Sequence, residues 1–421
     1  MSVTALLKKP HEEYSFFLLL PRPTRVLLIT NMIYAFVLPV IEIFVGAYIM
    51  RSSNDPSIVA VYQLTVYTGI PITFYVNGFL LNRIKIAHLY SFGMLLSGLS
   101  MIVMMSLQNL SVLGVGVAGL LMGCSFGFFW ANRDFLALNT TNDNTRNYYY
   151  GLETFFYTIT YIIVPVVVGA FLANTEAKGW FSGNMNTAYR IVTIVVFVLT
   201  IISSVVIHKG KFNNPVQKEF LFFKFHILWK KMMVLAGLKG LAQGYLVTAP
   251  AILIMRLVGN EGSLGLVQGI SGVATAFMLY ILGRTTKPSD RIYIFATGLF
   301  IFLIGTLANG ILFSVFGVII FVLCKVLFAP LHDIAYFPTE MRVIDVVSKI
   351  EKRSEFAYIF NHEFGLYVGR FLGLVLFIGL ANYVSEIFAL KYSLIIIAIL
   401  QLASIPVAKH IMKEANKLSV A

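Results

Sequence analysis

Arg146–Phe171, RNYYYGLETFFYTITYIIVPVVVGAF, decides the fold. Its last eighteen residues are almost wholly apolar, yet Glu153 stands in its early turns, with Tyr157 and Tyr161 at i+4 and i+8 on the same helical face. A carboxylate in a lipid-spanning helix costs roughly 2.5–3.5 kcal/mol or more near the bilayer centre, so it needs a reason to be there. The pattern returns 210 residues later: Glu363 answers Glu153, Tyr367 answers Tyr157 and Gly379 answers Gly169. Two matching helices with matching carboxylates predict a chain built from two similar halves with a polar site between them.

Composition agrees with the membrane reading. Of 421 residues, 58% are hydrophobic and 12% charged, whereas a soluble domain carries about a quarter charged residues. A bilayer core takes about 20 apolar residues per helix, and twelve such spans are read: 25–50, 57–81, 86–107, 110–132, 148–172, 188–208, 232–255, 263–283, 291–309, 311–331, 357–381 and 387–408. The expected fold class is all-α and integral to the membrane, twelve transmembrane helices in two six-helix pseudo-repeats. Its expected parts are a bundle over 1–208, an amphipathic cytoplasmic linker over 209–231 and a second bundle over 232–421.

The net charge of +13 is explained by topology rather than by nucleic acid. Placing the termini, the even-numbered loops and the middle loop on one face collects 24 of the 32 Lys and Arg, against 5 on the other face. Lys239, Lys325 and Arg370 fall inside spans. This asymmetry puts both termini in the cytoplasm of a plasma (inner) membrane protein. Cys124 and Cys324 lie inside apolar runs and are expected to be free thiols. The stretch Thr339–Arg353, TEMRVIDVVSKIEKR, is expected to form a separate short amphipathic helix with a solvated charged face.

Further pairs repeat in order along the chain. Phe129, Asp134 and Thr140 match Phe328, Asp333 and Thr339 at an offset of 199, while Glu42 matches Gln243 and Arg83 matches Arg284 at 201. Two like-oriented six-helix halves form a transporter architecture. The second span ends GFLLNRIK, with Gly78, Asn82, Arg83 and Lys85. Here the chain resembles the major facilitator superfamily, whose loop motif G-x-x-x-D-R is met except that Asn82 replaces the acid. The resemblance implies secondary transport by alternating access over the whole chain. It also implies a cytoplasmic latch formed by Gly78, Arg83, Asp134 and the repeat's Asp333, with Arg83 facing Asp134. Some drug–proton antiporters of the superfamily end a glycine-rich signature in Gly-Pro in the fifth span; Val164-Pro165 departs from it.

Candidate site residues follow from buried charge. Glu42, Lys239, Gln243, Lys325 and His332 fall in spans 1, 7 and 10, which line the cavity in the resembled superfamily, and are expected to contact substrate or ion. Lys325 and His332, seven apart, share a helical face. Glu153, Glu363, Arg370, Tyr157 and Tyr367 are expected to couple protons or to gate. Glu363 and Arg370 lie two turns apart, roughly 10 Å of rise, so Tyr367 is expected to bridge them rather than the two pairing directly. A carboxyl in a partly dry site can exchange a proton near neutral pH, which a proton-coupled carrier requires. A structural ion pair is the competing reading for each glutamate.

Two glycine stripes, Gly119/Gly123/Gly127 and Gly365/Gly369/Gly373, are expected to allow close helix packing. No metal-spaced Cys/His cluster or phosphate loop is present in the sequence, so no enzyme activity and no cofactor are expected. The expected partners are a small-molecule substrate, protons and the lipid bilayer, without nucleic acid, for a chain acting as a monomer. A uniporter or a lipid flippase is the alternative on the same fold.

Overall fold

The computed structural model describes residues 17–141, 143–214, 222–353 and 355–420. Among them the backbone is helical with no strand. This is the expected solution where lipid offers no hydrogen bonds and each helix satisfies its own peptide groups. Among the described residues, twelve helices are long and apolar enough to cross a membrane. They are named in chain order: α1 Arg22–Ser53, α2 Pro56–Leu80, α3 Ile86–Ser106, α4 Val112–Thr140, α5 Asp143–Lys178, α6 Met185–Ile207, α7 Ile227–Leu257, α8 Glu261–Thr285, α9 Arg291–Leu312, α10 Val315–Glu351, α11 Glu355–Tyr383 and α12 Glu386–Leu418. An even number of crossings among the described residues puts the start of α1 and the end of α12 on one side, called here the terminal face; the other is the far face.

Most of the extensive helix pairs lie within the first six helices or within the last six: α2/α4, α3/α4 and α3/α6 on one side, α9/α10, α7/α11 and α9/α12 on the other. Two extensive seams, α5/α8 and α2/α11, and a smaller contact between the ends of α1 and α7 join the two sets. Both glycine stripes serve packing. A Cβ on Gly123 would run into the Val66 carbonyl of α2, and one on Gly369 into the Gly237 carbonyl of α7. Along α8, Gly262, Gly265, Gly269 and Gly272 lie against α5 from Ala173 back to Tyr161, closing the far-face half of that seam.

Several elements differ from the sequence reading. α4 runs on to Thr140, so Arg133 lies inside the helix rather than in a cytoplasmic loop. α10 absorbs Thr339–Arg353: instead of a separate amphipathic helix there is one helix of 37 residues, about 55 Å long. Its continuation is not a solvated face, since Glu340, Val343, Ile344 and Val347 are buried. Composition favours this outcome, because the apolar spacing across 339–347 continues the helical period and Pro338 does not end it. The longer helix moves Lys325. It lies ten residues from the far-face end, about 15 Å, and so sits at mid-depth. The described end of the linker packs on α10 and α11. Residues 222–226 are non-helical, with Phe222 and Phe225 facing Arg353 and Phe225 beside Tyr358. Trp229 is buried and donates to Asn361 Oδ1 at 2.8 Å, so it is a core residue and not a lipid-facing anchor.

Candidate functional site

The first carboxylate, Glu153, is buried and fully partnered. Arg133 of α4 meets it through Nε at 3.1 Å and through Nη2. Asn31 Nδ2 of α1 donates at 2.6 Å and the Tyr149 hydroxyl at 3.1 Å. Tyr90 of α3 donates to the Asn31 carbonyl oxygen in turn. Arg133 also holds Asp134 at 2.7 Å and lies over the Trp130 ring. A buried charge needs this completeness, because an unpaired ion in a low-dielectric interior is very costly. Asn31, Tyr90, Arg133 and Tyr149 were not singled out from sequence. Arg133 was hidden by a helix boundary placed one residue before it.

The second carboxylate, Glu363, is held differently. Arg370 Nη1 reaches it at 3.3 Å, so the two pair directly and no tyrosine bridges them. Helical side chains lean toward the N-terminus, and the long Arg370 side chain covers the two turns that backbone rise alone seemed to forbid. Gln243 Oε1 accepts from Arg370 Nε at 3.1 Å and Nη2 at 2.9 Å. Arg370 lies 4.8 Å over the Tyr67 ring of α2, across the seam between the helix sets. The Tyr367 hydroxyl instead shares a hydrogen bond of 3.3 Å with Thr68 on α2. Tyr157, its counterpart, has a buried hydroxyl with no partner among the described residues.

Lys239 belongs to a third cluster near the terminal face. Its ammonium meets Asp333 at 3.0 Å and lies over Tyr336 and Phe337 at 4.1 and 3.9 Å. His332 also bonds Asp333 at 3.0 Å and packs among Phe295, Phe328 and Tyr336. His332 therefore does not share a cavity with Lys325: packing of α10 on α9 draws its ring to the Phe295 side. His362 bonds the Tyr336 hydroxyl at 2.6 Å and meets Glu340 at 3.1 Å. The latch inferred by resemblance is not formed in this conformation. Arg83 is exposed and makes no ion pair with Asp134, which is held by Arg133, while Asp333 is held by Lys239 and His332. Gly78 is buried in the last turns of α2. The side chain of Arg284 lies outside the described residues.

At the far face, charges join the two helix sets. Arg51, at the end of α1, pairs with Glu261 at the start of α8 at 2.6 Å and with Glu176 of α5 at 2.9 Å. The Tyr189 hydroxyl of α6 donates to Glu261 at 2.9 Å. Beside them Arg256 of α7 donates to Asn54 at 2.7 Å and pairs with Glu386 of α12 at 3.1 Å. In the sequence, Arg51 and Arg256 counted only as topology charges. The available signal was that Glu176, Glu261 and Glu386 cluster at the same predicted helix ends.

Between these layers lies a cavity of about 330 Å³, lined by both sets of helices. Ile43 of α1 and Tyr157, Thr158 and Tyr161 of α5 face Gln268, Ser271 and Thr275 of α8 and Lys325 of α10. The α5/α8 seam is tight as far as Gly272, and the following Thr275, Ala276 and Leu279 line open space instead. Glu42 adjoins the cavity. It lies in a π-helical turn, Val40–Phe44, directly after Pro39. Proline lacks the N–H that an α ladder needs, and single π turns inside α-helices are frequent at functional sites. The Glu42 carboxylate faces the Tyr161 hydroxyl and feels the Lys325 charge at longer range.

Similarity searches bear on the fold. No family model matches the chain. A Bacillus subtilis (strain 168) protein described as uncharacterized protein YqgE is 21% identical over 374 residues, 85% of this chain and 82% of that protein. An uncharacterized Geobacillus stearothermophilus protein encoded in the sodM 3′ region is 25% identical over 148 residues, 35% of this chain and 69% of that one. Among solved structures, the POT family transporter PepTSo superposes with a TM-score of 0.72 at 9% identity, covering 94% of this chain and 99% of its own. The nucleoside transporter NupG gives 0.66 at 13%, covering 93% and 99%. A bacterial homologue of the iron transporter ferroportin, in its inward-facing state, also gives 0.66 at 13%, covering 91% and 98%. The chain is a multi-pass membrane protein with the major facilitator fold.

Proposed function

We propose that the protein is a secondary transporter that moves a small solute by alternating access between its two six-helix halves, residues 1–208 and 232–421, with the terminal face in the cytoplasm. The observation that carries this reading is the cavity itself. It is lined from both sets of helices and lies under far-face charges paired between those sets. Sites formed where pseudo-repeats meet, near the middle of the bilayer, are where such folds bind their cargo. Lys239 and Asp333 then act as a terminal-face pair, and Arg370 with Gln243 as a contact beside the α2/α11 seam.

Coupling to protons is assigned to Glu42. Glu153 is held by a guanidinium and Glu363 by another, whereas Glu42 has no cation within ion-pair distance among the described residues. Glu153 and Glu363 are then gating and bracing residues rather than proton carriers.

The test is labelling of Ala173→Cys, which lies against Gly262 in the α5/α8 seam, with Cys124 and Cys324 replaced. Loss of the Arg51 clasp by Arg51→Ala should raise labelling from the far face by about tenfold, the range of a coupling free energy of 1–3 kcal/mol. Labelling that neither Arg51→Ala nor Glu261→Gln changes would count against a far-face gate. In proteoliposomes, Glu42→Gln should abolish accumulation driven by a pH gradient while leaving solute exchange intact.

A further inference from the structure

The cavity has an unusual surplus of unspent donors. Serine and threonine in helices commonly bond back to a carbonyl three or four residues earlier, as Thr160, Thr175, Thr193 and Ser393 do here. Thr158, Ser271 and Thr275 make no such bond and line the cavity instead. The Gln268 amide and the Lys325 ammonium likewise have no hydrogen-bond partner among the described residues, and the buried Tyr157 hydroxyl has none. Gln268, Ser271 and Thr275 recur at i, i+3 and i+7, so they form one polar stripe down α8. Opposite them Lys325 is the one full charge among the described lining residues. The remaining wall is apolar, with Ile43, Pro250, Val322 and Val326. An ammonium in such a place has strong need of an anionic partner.

We propose that this cavity binds a small organic anion, its negative group held by Lys325 and its polar body by the Gln268–Ser271–Thr275 stripe, entering together with a proton on Glu42. The proposal rests on the transport reading and names its cargo. Size sets the scale: 330 Å³ is the share of about eleven liquid waters at ~30 Å³ each, which suits a monocarboxylate of about a dozen heavy atoms or fewer. Charge sets the class. Glu42 faces the Tyr161 hydroxyl of α5, and at longer range its charge acts on Tyr34 of its own helix, Tyr67 of α2 and Lys325 of α10. With Glu42 ionised and the site empty, Glu42 and Lys325 cancel. With Glu42 protonated, Lys325 is left for the anion, and the loaded site cancels again. Both states that must reorient are neutral, which is the cheap arrangement in a low-dielectric interior. A cation would be repelled by Lys325, and a neutral solute would leave that ammonium unpaired.

The experiment uses the purified full chain in lipid nanodiscs and in proteoliposomes. Thermal stabilisation and counterflow are measured with benzoate and lactate as anions, phenylalanine as zwitterion, uridine as neutral solute and choline as cation. Benzoate or lactate should stabilise the protein and exchange, more tightly at pH 6 than at pH 8. Lys325→Gln should weaken that binding at least tenfold, while Lys325→Arg keeps it within a few-fold. Should Lys325→Gln fold poorly, the paired Ser271→Ala, Thr275→Val variant should weaken binding about threefold to tenfold. Exchange of uridine, choline or phenylalanine in preference to the anions would overturn the proposal and leave the transport reading standing. So would benzoate binding that Lys325→Gln does not change. If none of the five binds or exchanges, the proposal falls, and Ala173→Cys labelling decides separately whether the halves move. If that labelling also stays fixed in the Arg51→Ala protein, the transport reading falls with it.

Discussion

Glu153 and Glu363 occupy matching registers 210 residues apart, and their surroundings part company one helix away. Across from Glu153, α4 presents Arg133. At the repeat position, 199 residues on, α10 presents His332, which turns to Asp333 instead. Glu363 is left to a cation on its own helix, Arg370, and keeps part of its side chain accessible. One carboxylate therefore ties α1, α4 and α5 together within the first six helices. The other is held by an arginine that also touches Tyr67 across the seam. The repeat keeps the residue, while its neighbours give it two settings: a brace within the first half and, in the second, a contact beside the α2/α11 seam.

The largest expected effect comes from breaking the brace. Glu153→Gln leaves the mostly buried Arg133 with only the half-exposed Asp134 as counter-charge, and Arg133→Met strips the buried Glu153 of its cation. Removing one partner of a buried pair costs about 3–5 kcal/mol, so either variant should unfold at markedly lower denaturant in detergent or bilayer. The double variant Arg133→Met, Glu153→Leu should recover much of that loss, because the one charge left unpaired, Asp134, is half-exposed. Wild-type stability in both single variants would show that the pair is not a brace.

Glu363→Gln should behave differently. Arg370 keeps both bonds to Gln243 and its place over Tyr67, and the lost contact is long. A stability loss of about 1 kcal/mol is expected, with a larger proportional effect on solute exchange than on unfolding. Equal destabilisation by Glu153→Gln and Glu363→Gln would erase the distinction drawn between the two sites.

The sequence carried the architecture because lipid makes it legible. Apolar length and the repeated glutamates each report directly on twelve helices in two sets. Glu42 and Lys325 were legible for the same reason: a charge amid apolar residues is conspicuous. The partners were not. Arg133 looked like a loop charge because the span was ended at 132, and Glu340 looked solvated because Arg342, Asp345 and Lys349 follow it closely. The Arg51–Glu261 clasp joins residues 210 apart in sequence, through helix ends whose meeting depends on how two halves tilt. His332 shows the opposite error, a correct helical face assigned to the wrong neighbour, because packing against Phe295 decides which side of α10 its ring serves. Periodicity fixes which residues share a face, and only tertiary packing decides what that face meets.

The smallest effect is also the finest test of the comparison, since it concerns one oxygen atom in each half. Tyr367 shares its hydroxyl with Thr68 across the α2/α11 seam, whereas the matching Tyr157 hydroxyl is buried and unpartnered among the described residues. Tyr367→Phe should weaken the far-face-closed state by about 0.5 kcal/mol, an approximately twofold rise in Ala173→Cys labelling. Tyr157→Phe removes a polar atom that has gained nothing from the fold, so stability and labelling should stay level or improve slightly. Its cost should appear only with solute present, as weaker benzoate binding, because the Tyr157 side chain lines the cavity. If both substitutions shift labelling alike, the two halves carry equivalent tyrosines, and the division between brace and seam contact must be drawn at the carboxylates alone.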